Sequence, residues 1–296
     1  LTAKQEGKFD AVFLCIGAQV PRRTDIPVAS DTPMLDAVAI LRDTELDNPT
    51  KLKGRVVIYG GGNTAIDVAR TAVRMGAIST TLIVLEAREH MPAHLFEVEE
   101  ALEEGAVLKC LRSIKQVESN VVTLERMRAT NERWPEPTGE FETIEANVVV
   151  QAIGQDIDAD FLQNVSGLEI KDGVVQINGS MQTGADGIFA GGDMVPSIRT
   201  VTAAIGHGKK AARNIDAYLR DKKFIPPDKH EIVTFDMLNA WYYSDAPRSV
   251  RPMLDVVRRK TGFAEVVGDL DEDNASFEAR RCMSCGNCFE CDNCYG

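Results

Sequence analysis

The sequence has no run of about 18 consecutive apolar residues, so no transmembrane helix is expected. Its first stretch, LTAKQEGKFDAVFLCIG, lacks a basic leader and a small-residue cleavage site, and so has no secretory-signal layout. Positive charge is short as well. The 33 lysines and arginines face 45 aspartates and glutamates, a net charge of −12, which argues against nucleic acid as a main partner. Histidine is scarce. His90, His94, His207 and His230 are scattered and read as structural or surface groups, so no side chain is assigned a catalytic acid or base role. Cysteine is nearly absent from the middle of the chain, where only Cys110 occurs between residues 25 and 152.

What is present is an ordinary globular composition, 44% apolar and 26% charged, over 296 residues, enough for about two domains. Cys15 and Cys110 sit in apolar strand-like runs and are expected to be inert core residues. Cys282, Cys285, Cys288, Cys291 and Cys294 crowd the C-terminus. A dense cluster on a long chain without a secretory signal reads as metal or cluster ligation in a reducing cytoplasm, not as a disulfide framework. One basic island, Arg248, Arg251, Arg258, Arg259 and Lys260, reads as a solvated helix face or a docking patch.

Residues 9–17 read as a buried strand ending in a turn at Gly17, and a proline-containing loop follows at 21–33. Residues 54–86 carry a βαβ pattern: the strand GRVVIY, the turn GGGNTA, a helix from Ile66 to Met75 closed by Gly76, and the strand TTLIVLE. A glutamate-rich helix is expected over about 93–104, then several β-rich runs to residue 150, with NERWPEPTGE as a surface loop. VVVQAIG, ending at Gly154, repeats the strand-plus-glycine layout of VFLCIG and suggests equivalent places in two related domains. Residues 188–219 read strand, turn, helix.

Gly60, Gly62 and Ala65 form G-x-G-x-x-A, with Gly61 between the two glycines. The match follows a strand, opens a helix, and has Glu86 about 20 residues on, at the end of the next strand. In this pattern Gly60 permits the tight turn, Gly62 lets the backbone approach a pyrophosphate, and Ala65 allows close helix–strand packing. Asn63 and Thr64 stand at a helix N-terminus, which favours phosphate. Glu86 is placed to accept hydrogen bonds from the adenosine ribose and to repel a 2′-phosphate, so NAD(H) is expected over NADP(H). Arg88 nearby keeps NADP(H) open.

RVVIYGGGNTAIDVARTAVRMGA, EHMPA and GIFAGGDMVPSIRTVTAAIGHGKKAARNI resemble the NAD(P)H- and FAD-binding small subunit of glutamate synthase and the matching region of dihydropyrimidine dehydrogenase, over about residues 9–220. The resemblance implies an α/β flavoprotein with two dinucleotide-binding domains, a Rossmann-like NAD domain inserted in an FAD domain. It implies that Asp193 hydrogen-bonds the FAD ribitol region. The helix starting near Thr200, with Val201 and Thr202, would aim at the flavin, and Gly191 and Gly192 would allow close approach. The implied layout is 1–24 and 153–220 for the FAD domain, 25–152 for the NAD(P) domain, 221–277 as linker and 278–296 as a partial iron–sulfur segment. The family's first FAD fingerprint has no counterpart here, so further sequence is expected at both ends. NADP(H)-preferring members carry paired arginines near the places of Leu85 and Glu86, which again favours NAD(H).

FEARRCMSCGNCFECDNCYG resembles the ferredoxin-like extension of the iron–sulfur flavoprotein that works with dissimilatory sulfite reductase, over about residues 265–296. Cys288, Cys291 and Cys294 fit the first three places of the bacterial ferredoxin run of a [4Fe–4S] cluster, with Cys282 and Cys285 as extra ligands for a second cluster. Four thiolates also suit zinc. The expected function is electron transfer between NAD(P)H, FAD and iron–sulfur, to or from a partner protein. A thiol–disulfide reductase would need a C-x-x-C in the nucleotide domain, where Cys110 stands alone. A zinc-bound docking subunit without catalysis is the third reading.

Overall fold

The computed structural model describes residue 4 and residues 6–29, 32–45, 52–130, 134–225 and 245–281. They fall into two compact units, Leu1–Ile225 and Pro226–Gly296. Among the described residues no helix is long and apolar enough to cross a membrane.

The first unit opens with two short strands, β1 (Val12–Leu14) and β2 (Val20–Pro21). Then come β3 (Met34–Asp36), α1 (Ala37–Glu45), β4 (Arg55–Tyr59), α2 (Asn63–Arg74), β5 (Ser79–Ile83), α3 (Leu95–Glu103) and β6 (Val107–Lys109). Three longer strands follow, β7 (Arg112–Glu118), β8 (Val121–Arg128) and β9 (Glu136–Glu145), and then β10 (Val148–Gln151). The unit ends with β11 (Gln155–Asp156), β12 (Ile170–Lys171), β13 (Val174–Val175), β14 (Ile188–Ala190) and α4 (Val201–Leu219).

The central sheet is parallel, in the order β3-β10-β4-β5-β6. Its inner strands β10 and β4 are buried at nearly every position, and β5 at Thr80, Leu82 and Ile83, because both faces are covered. Val56, Ile58, Leu82, Val84, Val148 and Val150 face one layer, packed on Ala65, Ile66, Val68, Ala69 and Ala72 of α2 and Val98 and Ala101 of α3. The buried positions of α2 recur at three- and four-residue spacing, which makes one face of the helix apolar. The alternate residues Val57, Tyr59, Ile83 and Val149 face the other way, onto Ile114, Val117, Val122 and Leu124 of the antiparallel sheet β7-β8-β9. The strand run after the βαβ unit is therefore the second cover of the parallel sheet.

A smaller cluster gathers Leu14, Ile157, Leu162, Ile188, Ala190 and Met194 around the parallel pair β1–β14. The chain passes between the two clusters twice, side by side, because β2 and β11 pair antiparallel. Arg22 and Asp156 lock that ribbon with a two-nitrogen ion pair, which holds the Asp156 carboxyl below the usual range.

Several sequence expectations need correction. The stretch expected as a loop around Pro135 contributes Glu136–Glu140 to β9. Pro137 is tolerated there because β9 is the edge of its sheet. Strand β3 and helix α1 lie beyond the proline loop and carry no marked periodicity. Cys15 is exposed just after β1, so it is not a core residue. Cys110 is half-buried, and burial pushes its thiol pKa up, as befits an inert thiol. The region expected as a linker carries two helices in the second unit, α5 (Val256–Arg259) and α6 (Glu272–Arg280). Of the basic island, Arg259 is buried and donates from Nε to Leu254 O at 2.6 Å, while Arg258 pairs with Asp255 at the surface.

In the first unit α2 and α3 are joined by a buried ion network. Glu104, fully buried, accepts from Arg70 Nη2 at 2.6 Å and Nε at 3.1 Å, and lies 3.5 Å from Arg74 Nη2. Arg70 also pairs with Glu100 at 2.8 Å. Glu104→Gln strips the charge that compensates two arginines. Because Arg70 keeps Glu100, a loss of about 3 kcal/mol is expected by urea unfolding, near the low end for a broken buried pair.

In the second unit Glu278 accepts from Arg281 and from the Ser249 amide, and these bonds hold its pKa at about 2, against an ordinary 4.5. A depressed carboxyl adds stability above its unfolded pKa and loses it as pH falls through the folded value. The Ser249 amide resonance is therefore expected to stay fixed from neutral pH down to the ordinary carboxylate range, and to move only as pH approaches 2.

Candidate dinucleotide site

The glycine turn joins β4 to α2 at the carboxyl ends of the parallel strands, the edge where open α/β sheets bind ligands. Gly60 has φ +146°, and a Cβ there would stand 2.2 Å from Ala152 O, so a side chain is excluded twice over. At Gly61 a Cβ would meet Val84 Cγ1 at 2.7 Å. Gly62 differs. Its φ is −91°, a Cβ would touch nothing within 4 Å, and no side chain caps the helix it precedes. The first turn of α2 thus faces open space with its N–H groups forward, as a phosphate requires. Ala65 is fully buried beneath it.

This open space belongs to a cavity of about 450 Å³. Gly60, Gly61, Gly62 and Thr64 line one side, and Leu85, Glu86 and Pro92 stand next to them. The Glu86 carboxylate lies 3.6 Å from where a Gly61 Cβ would be. The segment after Glu86 is tied to the turn, with Ala93 N donating to Gly61 O at 3.0 Å and His94 N to Asn63 Oδ1 at 3.0 Å. Asn63 therefore spends its carbonyl oxygen on that loop, and only Thr64 of the pair lines the cavity. Arg88 begins an exposed 3-10 turn, Arg88–His90, and is not among the cavity residues. Gly154, with φ +109°, lines the far side beside Gln151.

The residues expected at the flavin gather elsewhere. Gly17 has φ +72° after β1. A Cβ at Gly191 would stand 2.8 Å from Phe13 Cζ, so glycine there is a packing requirement. Gly192, with φ +74°, donates its N–H to His207 Nδ1 at 3.2 Å, which fixes the GGD turn to α4 and makes Nδ1 the acceptor nitrogen. Asp193 sits in a one-turn 3-10 helix, Gly192–Met194. Thr200 caps α4 by accepting from Ala203 N at 3.2 Å. Val201 and Thr202 are exposed on its first turn, and Ile198, Val201 and Ile205 leave an apolar surface around the helix start.

Arg22, Trp134 and Arg199 also line the cavity, and none carries a sequence signal for it. Arg199 precedes the cap Thr200 and donates to Gln155 O at 2.7 Å, so the start of α4 borders the cavity. Cys282, Cys285, Cys288, Cys291 and Cys294 lie outside the described residues. Among the described residues no group of three or more His, Cys, Asp and Glu could hold a metal ion.

Comparison with known proteins agrees with this geometry. A family model described as pyridine nucleotide-disulphide oxidoreductase matches residues 2–208. The beta subunit of the NADP(+)-dependent formate dehydrogenase of Moorella thermoacetica is 32% identical, over 94% of this chain and 42% of that protein. The small chain of a glutamate synthase [NADPH] from Halomonas elongata is 34% identical, over 72% of this chain and 50% of that one. The chain thus spans half or less of the length of these relatives. Among solved structures, Mycobacterium tuberculosis FprA in complex with NADPH superposes with a TM-score of 0.59 at 17% identity, over 76% of this chain and 68% of that one. The fold is thus that of the flavoproteins with two dinucleotide-binding domains.

The two outer glycines of the turn are expected to respond differently to the same substitution. Gly60→Ala forces a strained backbone against Ala152 O and should cost about 2 kcal/mol. Gly62→Ala should stay within about 0.5 kcal/mol. Thermal unfolding of the two variants, side by side, checks the contrast.

Proposed function

Because the chain belongs to the pyridine nucleotide-disulphide oxidoreductase family, we propose that it passes electrons between NAD(P)H, FAD and an iron–sulfur centre, to or from a partner reductase or synthase subunit. One observation carries the reading: the cavity at the glycine turn and the start of α4 adjoin through Arg199, as neighbouring nucleotide and flavin sites would require. The names of the relatives, a formate dehydrogenase beta subunit and a glutamate synthase small chain, support a role as one subunit of a larger assembly.

On this reading Gly60, Gly61 and Gly62 make room for the pyrophosphate, and the first turn of α2 holds its charge. Glu86 accepts from the adenosine ribose. Gly192, Asp193, Thr200, Val201 and Thr202 hold part of the flavin, which would cover the exposed Val201. When bound, FAD takes a hydride from NAD(P)H and gives up electrons singly, and a [4Fe–4S] cluster carries them onward. The cysteine run from Cys282 to Cys294, five thiols where one cluster takes four, is the proposed source of its ligands. Catalysis then needs no side-chain proton donor, only placement. A thiol–disulfide reductase would require a partner for Cys110, and residues 25–152 hold no other cysteine.

The finer reading is a preference for NADH. Glu86 lines the cavity, where a carboxylate repels a 2′-phosphate, and Arg88 stands outside it. Both relatives above carry NADP(H) in their names, so the two nucleotides must be compared directly. The test is anaerobic reduction of the flavin-loaded full-length protein by each. NADH is expected to bleach the flavin with kcat/KM about tenfold above NADPH, and Glu86→Arg to reverse the order. Equal or better use of NADPH by the unaltered protein sinks the preference. Reduction by neither nucleotide sinks the electron-transfer reading itself.

A further inference from the structure

The glycine turn and Glu86 account for the phosphate and ribose of a dinucleotide but assign nothing to its base. The β7-β8-β9 sheet supplies a residue for it. Leu111 N donates to Glu86 O at 3.2 Å, and Met127 N of β8 donates to Leu111 O at 2.9 Å, so the end of β8 is stitched beside Glu86. Thr130 Oγ1 donates to Trp134 O at 3.1 Å, across the connection from β8 to β9. Thr130 and Pro135 share a small hollow with Glu86 and His90. Trp134, next to Pro135, lines the main cavity with Glu86 and Pro92 and is 56% exposed.

We propose that Trp134 packs on the adenine base of the bound nucleotide, an assignment that rests on reading the cavity as the nucleotide site. The order of parts along the cavity carries it. The pyrophosphate belongs at Gly62 and the ribose at Glu86, so the base lies beyond Glu86, the side from which the β8–β9 connection reaches the cavity. An indole face binds any flat base without reading its hydrogen bonds, and half in water it has apolar area left to bury. Trp134 is thus a binding residue that the sequence motif does not include. It sets affinity, while Glu86 sets the choice at the ribose.

Isothermal titration of the full chain with NADH and with ADP-ribose, which lacks the nicotinamide, tests this. Trp134→Ala is expected to weaken both ligands about tenfold, with Trp134→Phe restoring most of the loss. The melting temperature should move little, because the residue is 56% exposed. A loss for NADH but not ADP-ribose would place the ring at the nicotinamide and overturn the assignment. So would unchanged binding of both. If the unaltered chain binds neither ligand, the reading of the cavity falls, and the assignment with it.

Discussion

Five parallel strands of only three to five residues, the inner ones buried, must be covered on both faces, and most of the first unit answers that need. Helices α1, α2 and α3 cover one face, and the sheet β7-β8-β9 covers the other. The two covers also build the site. Helix α2 brings its N-terminus to the glycine turn, and the antiparallel sheet is anchored at the residue after β5 that faces the turn, Glu86. Packing and the shape of the cavity are therefore not separable here. The same hydrogen bonds from Leu111 and Met127 that seat the second cover fix the wall of the cavity.

Close approach is the second organising fact. Gly60, Gly61 and Gly191 each stand where a Cβ would enter a neighbouring atom's space, whereas Gly62 and Gly192 look into open space. Packing demands glycine at the first three, the backbone angle of +74° demands it at Gly192, and neither constraint acts on Gly62. Sequence spacing alone treats these glycines alike. The structure separates those held by packing or backbone angle from the one, Gly62, that is held by neither.

Much of the site was legible in the sequence because its parts are local. The strand, turn and helix at 55–74 announce themselves by apolar periodicity and glycine, and Glu86 by its place at the end of the next strand. The missed parts arrive from far along the chain. Arg22 reaches the cavity from the β2 ribbon, Arg199 from the start of α4, and Trp134 from a β-connection that its prolines and charges marked as mere surface. Strand β3 was hidden for another reason: three half-buried residues give too short a pattern to stand out from the proline loop before it. Cys15 misled because it sits inside an apolar run, yet the strand stops one residue earlier and the thiol faces solvent.

The paired strands β2 and β11 put the way into the parallel-sheet region and the way out of it next to one another, with Val20 opposite Asp156 and Pro21 opposite Gln155. A segment whose two ends meet in this way is a cassette. It can be lengthened, exchanged or lost during descent without rerouting the host chain, because the stumps it leaves already touch. Variety in the lining of the cavity could thus arise by swapping the whole cassette, as well as by editing residues such as Glu86 one at a time.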